Sequence, residues 1–288
     1  MTSSLRWQIK KTARKGMALC HWASHWVTTA GPHAKPSVRV LTYHRFGKVH
    51  RDPFCVAPND FALQMAWLAE RGLAVSLAEV EAFVHHGKQL KHGSVLVTID
   101  DGCSSVGTHA LPILKHYNIP AVVFVSSGNI GRKAIEPNQQ GELPKEDYMA
   151  WSELHSLLNA GVVVGSHAVT HRSIGRMSIG EAEEEILGSR AALERGLGKS
   201  VTSFAYPYGT RADFNSTVAA VLRRGGYRLA FTSQHGAIRP RMDAMLLPRI
   251  KVEGGEGSWL FPLMAQGGLD AWRWIDRALW RIQASGRG

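Results

Sequence analysis

The stretch Val95-Leu96-Val97-Thr98-Ile99-Asp100-Asp101-Gly102 joins a strand-length apolar run to a charged turn. Its first five residues form a continuous apolar segment, which is typical of a strand covered on both faces of a sheet. Two carboxylates follow directly, and Gly102 allows a tight turn after them. This order predicts a buried strand whose carboxyl end presents a pair of acids.

Runs of the same kind recur along the chain and alternate with segments of helical period. Strands are predicted over residues 38–43, 95–99, 121–125, 162–164, 203–205, 229–231 and 246–252. Helices are predicted over residues 59–71, 110–117, 152–160, 178–197 and 213–224, and after Ser76. Ser76 with Glu79 and Ser178 with Glu181 have the spacing of capping boxes. About seven parallel strands favour a distorted (β/α) barrel of the α/β class over an open sheet.

Candidate reactive residues fall where a barrel would use them, just past the carboxyl ends of predicted strands. His44 follows the first strand, and Asp100 and Asp101 follow the second. His167 follows the strand at 162–164, and the turn Pro207-Tyr208-Gly209 follows the strand at 203–205. These strands are identified from apolar runs alone, so the agreement does not depend on any motif.

Bulk properties exclude several classes of protein. The 288 residues are 44% hydrophobic and 20% charged, which allows a sizeable core. No run of about 20 apolar residues predicts a membrane span. Cys20, Cys55 and Cys103 are odd in number and lack metal-ligand spacing, which favours a reducing, cytoplasmic location. Most of the net charge of +11 comes from residues 1–51, which hold ten Lys or Arg and no acid, so the nearly neutral remainder argues against nucleic-acid binding.

Two histidines in Ser166-His167-Ala168-Val169-Thr170-His171 stand four residues apart, a spacing that places both on one face of a helical turn. With Asp101 they would give a metal three protein ligands and an open position, as in catalytic zinc sites. Asp100 would remain as a base for an activated water. Alternatively, the histidines are an inert surface pair and the acids belong to an ordinary turn.

The segment Tyr206-Pro207-Tyr208-Gly209 also has two interpretations. It could be a rigid turn that presents a backbone N–H to an oxyanion, or a simple Pro-Gly turn. We take Tyr206, Pro207 and His235 as candidate substrate contacts.

Together these motifs resemble the polysaccharide deacetylase family, the NodB-type carbohydrate esterases, and most of all its exopolysaccharide-type members. Residues 98–102 are similar to the family's Thr-Phe-Asp-Asp-Gly, and residues 166–171 to its Ser/Thr-His-x-x-x-His. Residues 207–209 are similar to its third motif, and residues 41–45 to its opening strand. The motifs occur in family order, and the resemblance covers residues 37–252.

The resemblance implies a NodB-like barrel and a metal-dependent hydrolase that removes N-acetyl groups from amino sugars. It makes Asp100 the general base and makes Asp101, His167 and His171 the ligands of a divalent metal. The Tyr208 N–H would help to hold the oxyanion. Zn²⁺ suits this donor set best, although two histidines and a carboxylate also suit other divalent ions.

The chain departs from the family pattern at two positions. The family's late Leu-x-His motif supplies a general acid, but this chain has Leu247-Pro248-Arg249, and arginine does not donate a proton at neutral pH. The arginine that usually begins the third motif and orients the base is replaced by Ala205. We expect Arg249 to reach across the barrel and pair with Asp100 in its place. The general acid is then His44, His235 or protonated Asp100.

The chain divides into a basic, Trp-containing N-terminal arm (1–36), the catalytic domain (37–252) and an amphipathic C-terminal tail (253–288). Seven of the nine tryptophans lie in the arm and the tail. Leu269, Trp272, Ile275, Leu279 and Ile282 have helical spacing in the tail. This helix could pack on the barrel or, with the basic arm, lie on an anionic membrane surface. The arm could alternatively be a weak export signal or a transit peptide.

Residues 126–151 have little periodicity and include Gly128, Gly131, Pro137, Gly141 and Pro144. They predict a loop over one rim of the site.

Three functions remain open from the sequence. The first is N-deacetylation of an amino-sugar polysaccharide or its lipid-linked precursor. The second is deformylation or other amide hydrolysis on a lipid-linked amino sugar at the same site. The third is a catalytically inactive glycan-binding barrel, which Ala205 and Arg249 would suit.

Overall fold

The computed structural model describes residues 3–28, 36–48, 52–133 and 146–285. The strands in these ranges are β1 (Arg39–Tyr43), β2 (Arg45–Phe46), β3 (Cys55–Val56), β4 (Val95–Ile99), β5 (Ala121–Val125), β6 (Val163–Ser166), β7 (Ser203–Ala205), β8 (Leu229–Phe231) and β9 (Ile250–Lys251). The α-helices are α1 (Ser3–Thr28), α2 (Pro58–Arg71), α3 (Leu77–His86), α4 (Leu111–His116), α5 (Trp151–Asn159), α6 (Ile179–Leu197), α7 (Ser216–Arg224), α8 (Leu260–Ala265) and α9 (Trp272–Ser285). A π-helical turn (Val106–Ala110) leads into α4.

Seven strands form one sheet in the order β8-β7-β6-β5-β4-β1-β9, and each pair of neighbours is parallel. β2 and β3 form a separate small pair. The prediction of a curled sheet of about seven parallel strands is therefore confirmed. The strands are almost wholly buried, which explains their continuous apolar sequences.

The segment at residues 244–249 connects the two edges of this sheet. Its Leu247 donates a backbone hydrogen bond to the Ala230 carbonyl in β8 (2.9 Å) and accepts one from Thr232 N–H (2.8 Å). The chain then continues as β9, which pairs with β1. A single segment thus contacts both edges and completes the barrel around its interior.

Local sequence determines where several helices begin and end. Both predicted capping boxes are present: the Ser76 hydroxyl accepts from Glu79 N–H, and the Ser178 hydroxyl accepts from Glu181 N–H. The stop predicted for α2 is also present, because Gly72 takes the left-handed conformation at φ 55°.

Three element boundaries differ from the predictions by two residues or more. β6 extends to Ser166, two residues beyond the predicted end at 164. α7 begins at Ser216 rather than 213, because the Asn215 side chain caps Val218 N–H. The predicted strand at 246–252 narrows to Ile250–Lys251, because the residues before it bond with β8 instead.

The described part of the N-terminal arm contains the helix α1, which packs beside α8. Its Ala18 is fully buried, and its Arg14 is also buried and bonds with Glu256. In the tail, Leu269 and Trp272 are buried, as expected for a helix that packs on the barrel. The side chains of Trp7, Trp22, Trp26, Leu279, Trp280 and Ile282 lie outside the described residues.

Two further observations concern membrane-spanning helices and disulfide bonds. None of the described helices combines the length and apolar character needed to cross a membrane. Cys20, Cys55 and Cys103 are free thiols, as expected from their number and spacing.

Candidate active site

A cavity of about 800 Å³ opens at the carboxyl ends of the strands. The candidates from the sequence that line it include His44, Asp100, Asp101, His167 and His171. They come from the residues that follow β1, β4 and β6. The barrel rule therefore predicted correctly that these side chains lie together, because parallel strands bring their carboxyl ends to one rim.

Asp101, His167 and His171 form a compact cluster of potential metal ligands. One donor atom from each residue lies within 4.8 Å of the others. The Asp101 Oδ1 is 3.4 Å from His167 Nε2 and 3.2 Å from His171 Nε2. Burial by itself raises the pKa of Asp101, but hydrogen bonds with the two imidazoles outweigh it and hold the pKa well below its usual value.

The orientation of His167 fits a metal at this cluster. Its Nδ1 lies 2.7 Å from the Ala205 carbonyl oxygen, so Nδ1 carries the hydrogen and donates it. With a metal bound, Nε2, which faces Asp101, would supply its lone pair as a ligand. Metal-binding histidines are commonly fixed by such a bond from the other ring nitrogen. Ala205, which stands where the family usually has an arginine, thus contributes its backbone to the site.

The loop that carries the two histidines is held by one buried acid on α6. Glu185 accepts hydrogen bonds from Val169 N–H and Thr170 N–H, both at 2.9 Å, and from the Thr170 hydroxyl. Glu185 is only 5% exposed. The loop conformation therefore depends on a side chain that does not itself face Asp101.

The predicted helical turn between His167 and His171 is wrong. The residues after β6 form a loop in which Ala168 and His171 have left-handed φ angles of 62° and 61°. Asp101 (φ 73°) and Tyr208 (φ 61°) share this conformation, which is costly for residues other than glycine. Such strain persists where the surrounding structure enforces it, and it is typical of functional sites.

Asp100 and Arg249 form the ion pair that we expected from the sequence. Arg249 Nη1 donates to Asp100 Oδ1 at 2.8 Å, and Nη2 donates to Oδ2 at 2.7 Å. Arg249 also donates from Nε to the Thr232 carbonyl at 3.0 Å, and it is buried. Burial raises the pKa of Asp100, but the adjacent guanidinium outweighs it and lowers that pKa below the usual value.

His44 lies beside this ion pair. Its ring centroid is 4.9 Å from that of Phe54, in an edge-on arrangement. Burial lowers the pKa of His44 to about 4, although Asp101 and Asp100 act in the opposite direction. His44 is therefore where the sequence predicted it and is neutral at pH 7.

The turn after β7 divides into a buried part and an exposed part. Tyr208 is 44% exposed and lines the cavity, with its ring 4.9 Å from that of His171. Tyr206 is fully buried, and its hydroxyl donates to the Met245 carbonyl at 3.0 Å. Pro207 is also buried. Neither Tyr206 nor Pro207 lines the cavity, so the structure does not place these two predicted substrate contacts at the site.

His235 lines the cavity, but its ring nitrogens are engaged by protein groups. Nδ1 lies 2.8 Å from Asp276 Oδ2, and Nε2 lies 3.3 Å from Arg14 Nη1. Because arginine can only donate, Nε2 is the acceptor and Nδ1 carries the hydrogen. This arrangement leaves His235 no proton to give to a substrate, so it is a poor candidate for the acid.

The ends of the chain close one side of the cavity. Lys10, Glu253, Trp272 and Asp276 line it there, and we call these four residues the terminal wall. On another side, Glu146 and Tyr148 from the predicted rim loop line the cavity. Pro137, Gly141 and Pro144 of that loop lie outside the described residues.

Comparison with known families identifies the chain. A family model described as "Polysaccharide deacetylase" matches residues 87–230, half of the 288 residues. The chain belongs to the polysaccharide deacetylase family. The match includes the predicted metal ligands and ends before Arg249, so the pairing of Asp100 with Arg249 involves a residue outside the matched region.

Related proteins agree with this assignment. A poly-β-1,6-N-acetyl-D-glucosamine N-deacetylase of Staphylococcus epidermidis is 26% identical over 245 residues, which cover 76% of this chain and 80% of that protein. The structure of IcaB from Ammonifex degensii is similar with a TM-score of 0.68 and 29% identity, over 81% of this chain and 97% of that one. A deacetylase from Streptococcus pyogenes, PplD, solved with acetate, shares the fold with a TM-score of 0.68 and 21% identity, over 80% and 98% of the two chains.

Several residues at the site were not predicted from the sequence. Glu185 lies in the middle of a helix with no local signal of its contacts. Phe54 follows a short polar segment, and Lys10 comes from a different part of the chain altogether. Lys251 had a usable signal, because it lies two residues after Arg249 in an extended segment and so points to the same face.

Proposed function

We propose that this protein is a metal-dependent N-deacetylase of amino-sugar glycans. The observation that carries the proposal is the juxtaposition of the ion pair between Asp100 and Arg249 with the cluster of Asp101, His167 and His171. An acid held beside a three-ligand cluster, at the mouth of one cavity, is the arrangement that amide hydrolysis by an activated water requires.

Asp101, His167 and His171 would hold the metal. Two imidazoles and one carboxylate suit Zn²⁺, and His167 already presents Nε2 to the cluster. A divalent ion held there would polarise the acetamide carbonyl and acidify a water molecule. Glu185 supports the site by fixing the loop between the two histidines.

Asp100 would accept the proton of the attacking water. Arg249 fixes the carboxylate at two points, so the base is oriented before substrate arrives. The guanidinium also keeps Asp100 ionised, because it lowers the pKa. The N–H of Tyr208 would donate to the developing oxyanion, in a turn whose left-handed backbone is already formed.

The cavity suits a sugar chain. Phe54, Tyr148, Tyr208 and Trp272 present aromatic surface to it, and polar groups are placed among them. Relatives named as poly-β-1,6-N-acetyl-D-glucosamine N-deacetylases favour a glucosamine-containing substrate. A lipid-linked precursor of such a glycan is the second substrate to test, because the sequence predicts an amphipathic tail beside the catalytic domain.

The inactive glycan-binding barrel is the weaker alternative. It was motivated by the loss of the family arginine at Ala205, but Arg249 supplies a guanidinium to Asp100 from elsewhere. A barrel that only bound glycans would have no need of an oriented acid beside three potential metal ligands.

The test is acetate release from β-1,6-linked N-acetylglucosamine oligomers by purified protein. We expect release with added Zn²⁺, loss of release with a chelator, and loss in Asp100→Asn. Glu184→Gln, at an exposed position on α6, is the matched control. A protein that binds one metal per chain and releases acetate from neither the oligomers nor a lipid-linked N-acetylamino sugar would contradict the proposal.

A further inference from the structure

Breaking an amide bond requires a proton for the departing nitrogen, and the proposed function leaves that donor unassigned. His235 has both nitrogens engaged by Asp276 and Arg14. Arg249 does not donate a proton at neutral pH. The identity of this donor rests on the proposed function.

Strand alternation places one more basic side chain in the barrel interior. Lys251 in β9 is level with Thr42 in β1, which in turn is level with Thr98 in β4. The two threonine hydroxyls are 3.4 Å apart, and Thr98 accepts from Arg249, so these side chains face inward. Because side chains alternate along a strand, Lys251 shares the inward face with Arg249.

The ammonium group of Lys251 reaches the cavity beside the ion pair of Asp100. Its Nζ lies 4.4 Å from the ring centroid of Phe54, whose other aromatic neighbour is the ring of His44 at 4.9 Å. Among the described residues, no hydrogen bond or ion pair engages this ammonium group. A lysine held over an aromatic ring rather than a carboxylate keeps its proton available to a ligand.

The position of Lys251 complements that of the metal cluster. Asp101, His167 and His171 follow β4 and β6, on one side of Asp100. Lys251 comes from β9, two strands from β4 on the other side. An acetamide whose carbonyl oxygen faces the cluster and the Tyr208 turn would direct its nitrogen toward Lys251.

We propose that Lys251 is the general acid of the reaction. The water oxygen bonds to the acetyl carbon, and the proton of that water passes to Asp100. The carbon–nitrogen bond then breaks with its electron pair on nitrogen, which takes a proton from the Lys251 ammonium group. Acetic acid, which keeps the second proton of the water, and the free amine leave, and Lys251 regains a proton as Asp100 releases one.

The electrostatic surroundings suit this role. Burial and the nearby Lys10 lower the pKa of Lys251 to about 8, so the group is protonated at pH 7 and yet more acidic than an ordinary lysine. The charged and titratable groups that face it are Lys10 and Arg14 from α1, His44 after β1, Asp100 after β4, and Glu253 after β9.

The decisive experiment compares two substrates of the zinc-loaded protein. An N-acetylglucosamine oligomer needs its leaving nitrogen protonated, whereas 4-nitrophenyl acetate releases a stable phenolate that needs no proton. We expect Lys251→Met to lower kcat/KM for the amide by about 10²–10⁴-fold, the usual contribution of a general acid. The same variant should retain ester hydrolysis within about tenfold by the same reasoning.

Matched variants separate proton donation from charge and from folding. Lys251→Arg keeps the charge but cannot donate, so it should lose amide hydrolysis as Lys251→Met does. Lys10→Met removes a positive charge from the same cavity, where Lys10 pairs with Glu253, and should affect both substrates alike. Zinc content and thermal unfolding of each variant establish that the site is intact.

A pH profile gives a second readout. Activity on the amide should fall as pH rises through the pKa of the acid, since only the ammonium form donates. Converting Lys251→Cys to thialysine with 2-bromoethylamine, in a Cys20→Ser background because Cys20 is exposed, should restore amide hydrolysis and move this basic limb to lower pH.

Each outcome decides the question. Equal loss of amide and ester hydrolysis in Lys251→Met, or full amide activity in Lys251→Arg, overturns the role of Lys251 and leaves the proposed function standing. Selective loss of amide hydrolysis in His44→Gln, with Lys251→Met unaffected, transfers the role to His44. Wild-type protein that hydrolyses neither substrate overturns the proposed function and the role of Lys251 together.

Discussion

Arg249 holds Asp100 through two hydrogen bonds of 2.8 and 2.7 Å, although the two residues adjoin strands separated by β1. Arg249 directly precedes β9 at one edge of the sheet, and Asp100 directly follows β4. The pair therefore joins the segment before β9, at the edge of the sheet, to the end of β4, and it fixes the Asp100 carboxylate at two points.

Replacing Arg249 should affect stability and activity together. Arg249→Met leaves the buried Asp100 carboxylate without its partner, which should lower the free energy of unfolding by about 3–5 kcal/mol. Arg249→Lys retains a charge but not the two-point geometry, so it should be more stable than Arg249→Met and still impaired in turnover. Urea unfolding and acetate release measure the two effects, and an Arg249→Met protein of wild-type stability would contradict this account.

Replacing Glu185 should weaken metal binding without removing any predicted ligand. Glu185→Ala frees the loop of Val169 and Thr170, and loss of such a supporting contact typically costs about 10–100-fold in metal affinity. Competition with a chromogenic chelator gives the affinity. Glu184→Gln, the neighbouring acid on the same helix, should leave it unchanged. Equal metal affinities in Glu185→Ala and wild type would show that the loop keeps its conformation without Glu185.

The attachment of α1 should depend on Arg14. This buried arginine bonds with Glu256 and donates to the Lys251 carbonyl at 2.7 Å, so it ties the helix to the end of β9. Arg14→Met should increase amide hydrogen exchange over residues 8–20. Gln8→Met, at an exposed position of the same helix, should leave the exchange unchanged, because glutamine and methionine have similar helix propensity. Unchanged exchange in Arg14→Met would mean that apolar packing alone holds the helix.

Stability should fall in acid partly because of Glu253. Burial raises the pKa of this carboxyl, but Lys10, Arg14 and Lys11 outweigh it and hold the pKa below the usual value of about 4.3. A carboxyl whose pKa is lower in the folded state than in the unfolded state stabilises the folded protein at pH values above the unfolded-state pKa. This contribution is lost as pH falls through the folded-state pKa. Unfolding free energies from pH 7 to 3 should therefore decline less in Glu253→Gln than in wild type. Parallel curves for the two proteins would argue against this contribution.

Much of the barrel could be predicted from the sequence because its signals are local. The strand ending at Ile99 is a continuous apolar run, and the helix after Ser76 carries its own capping box. The clustering of Asp101 with His167 and His171 followed from the rule that parallel strands end at one rim.

The sequence-based predictions failed where one sequence pattern is consistent with two different local structures. A separation of four residues is consistent with a helical turn, but Ala168 and His171 take left-handed angles in a loop instead. Tyr206 follows a strand like the other candidates, yet the alternation of side chains directs it into the core. Neither outcome could be read from residue type.

Contacts between distant parts of the chain had no local signal at all. The bond between Arg14 and Glu256 joins residues 242 positions apart, and the sequence alone predicted only a basic arm. The pairing of Arg249 with Asp100 is also a long-range contact, but it was predicted correctly. Ala205 replaces the family's usual arginine, so the Asp100 carboxylate was expected to pair with an arginine from elsewhere in the chain.

The terminal wall has a consequence for the order of synthesis. A ribosome adding about 5–20 residues per second needs roughly 10–50 s to travel from Arg14 to Glu256, so α1 waits that long for its acidic partners. Asp101, His167 and His171 emerge well before then. A nascent chain can therefore bring these three side chains together while one side of the cavity is still open, and that side closes only after Glu253, Trp272 and Asp276 have left the ribosome.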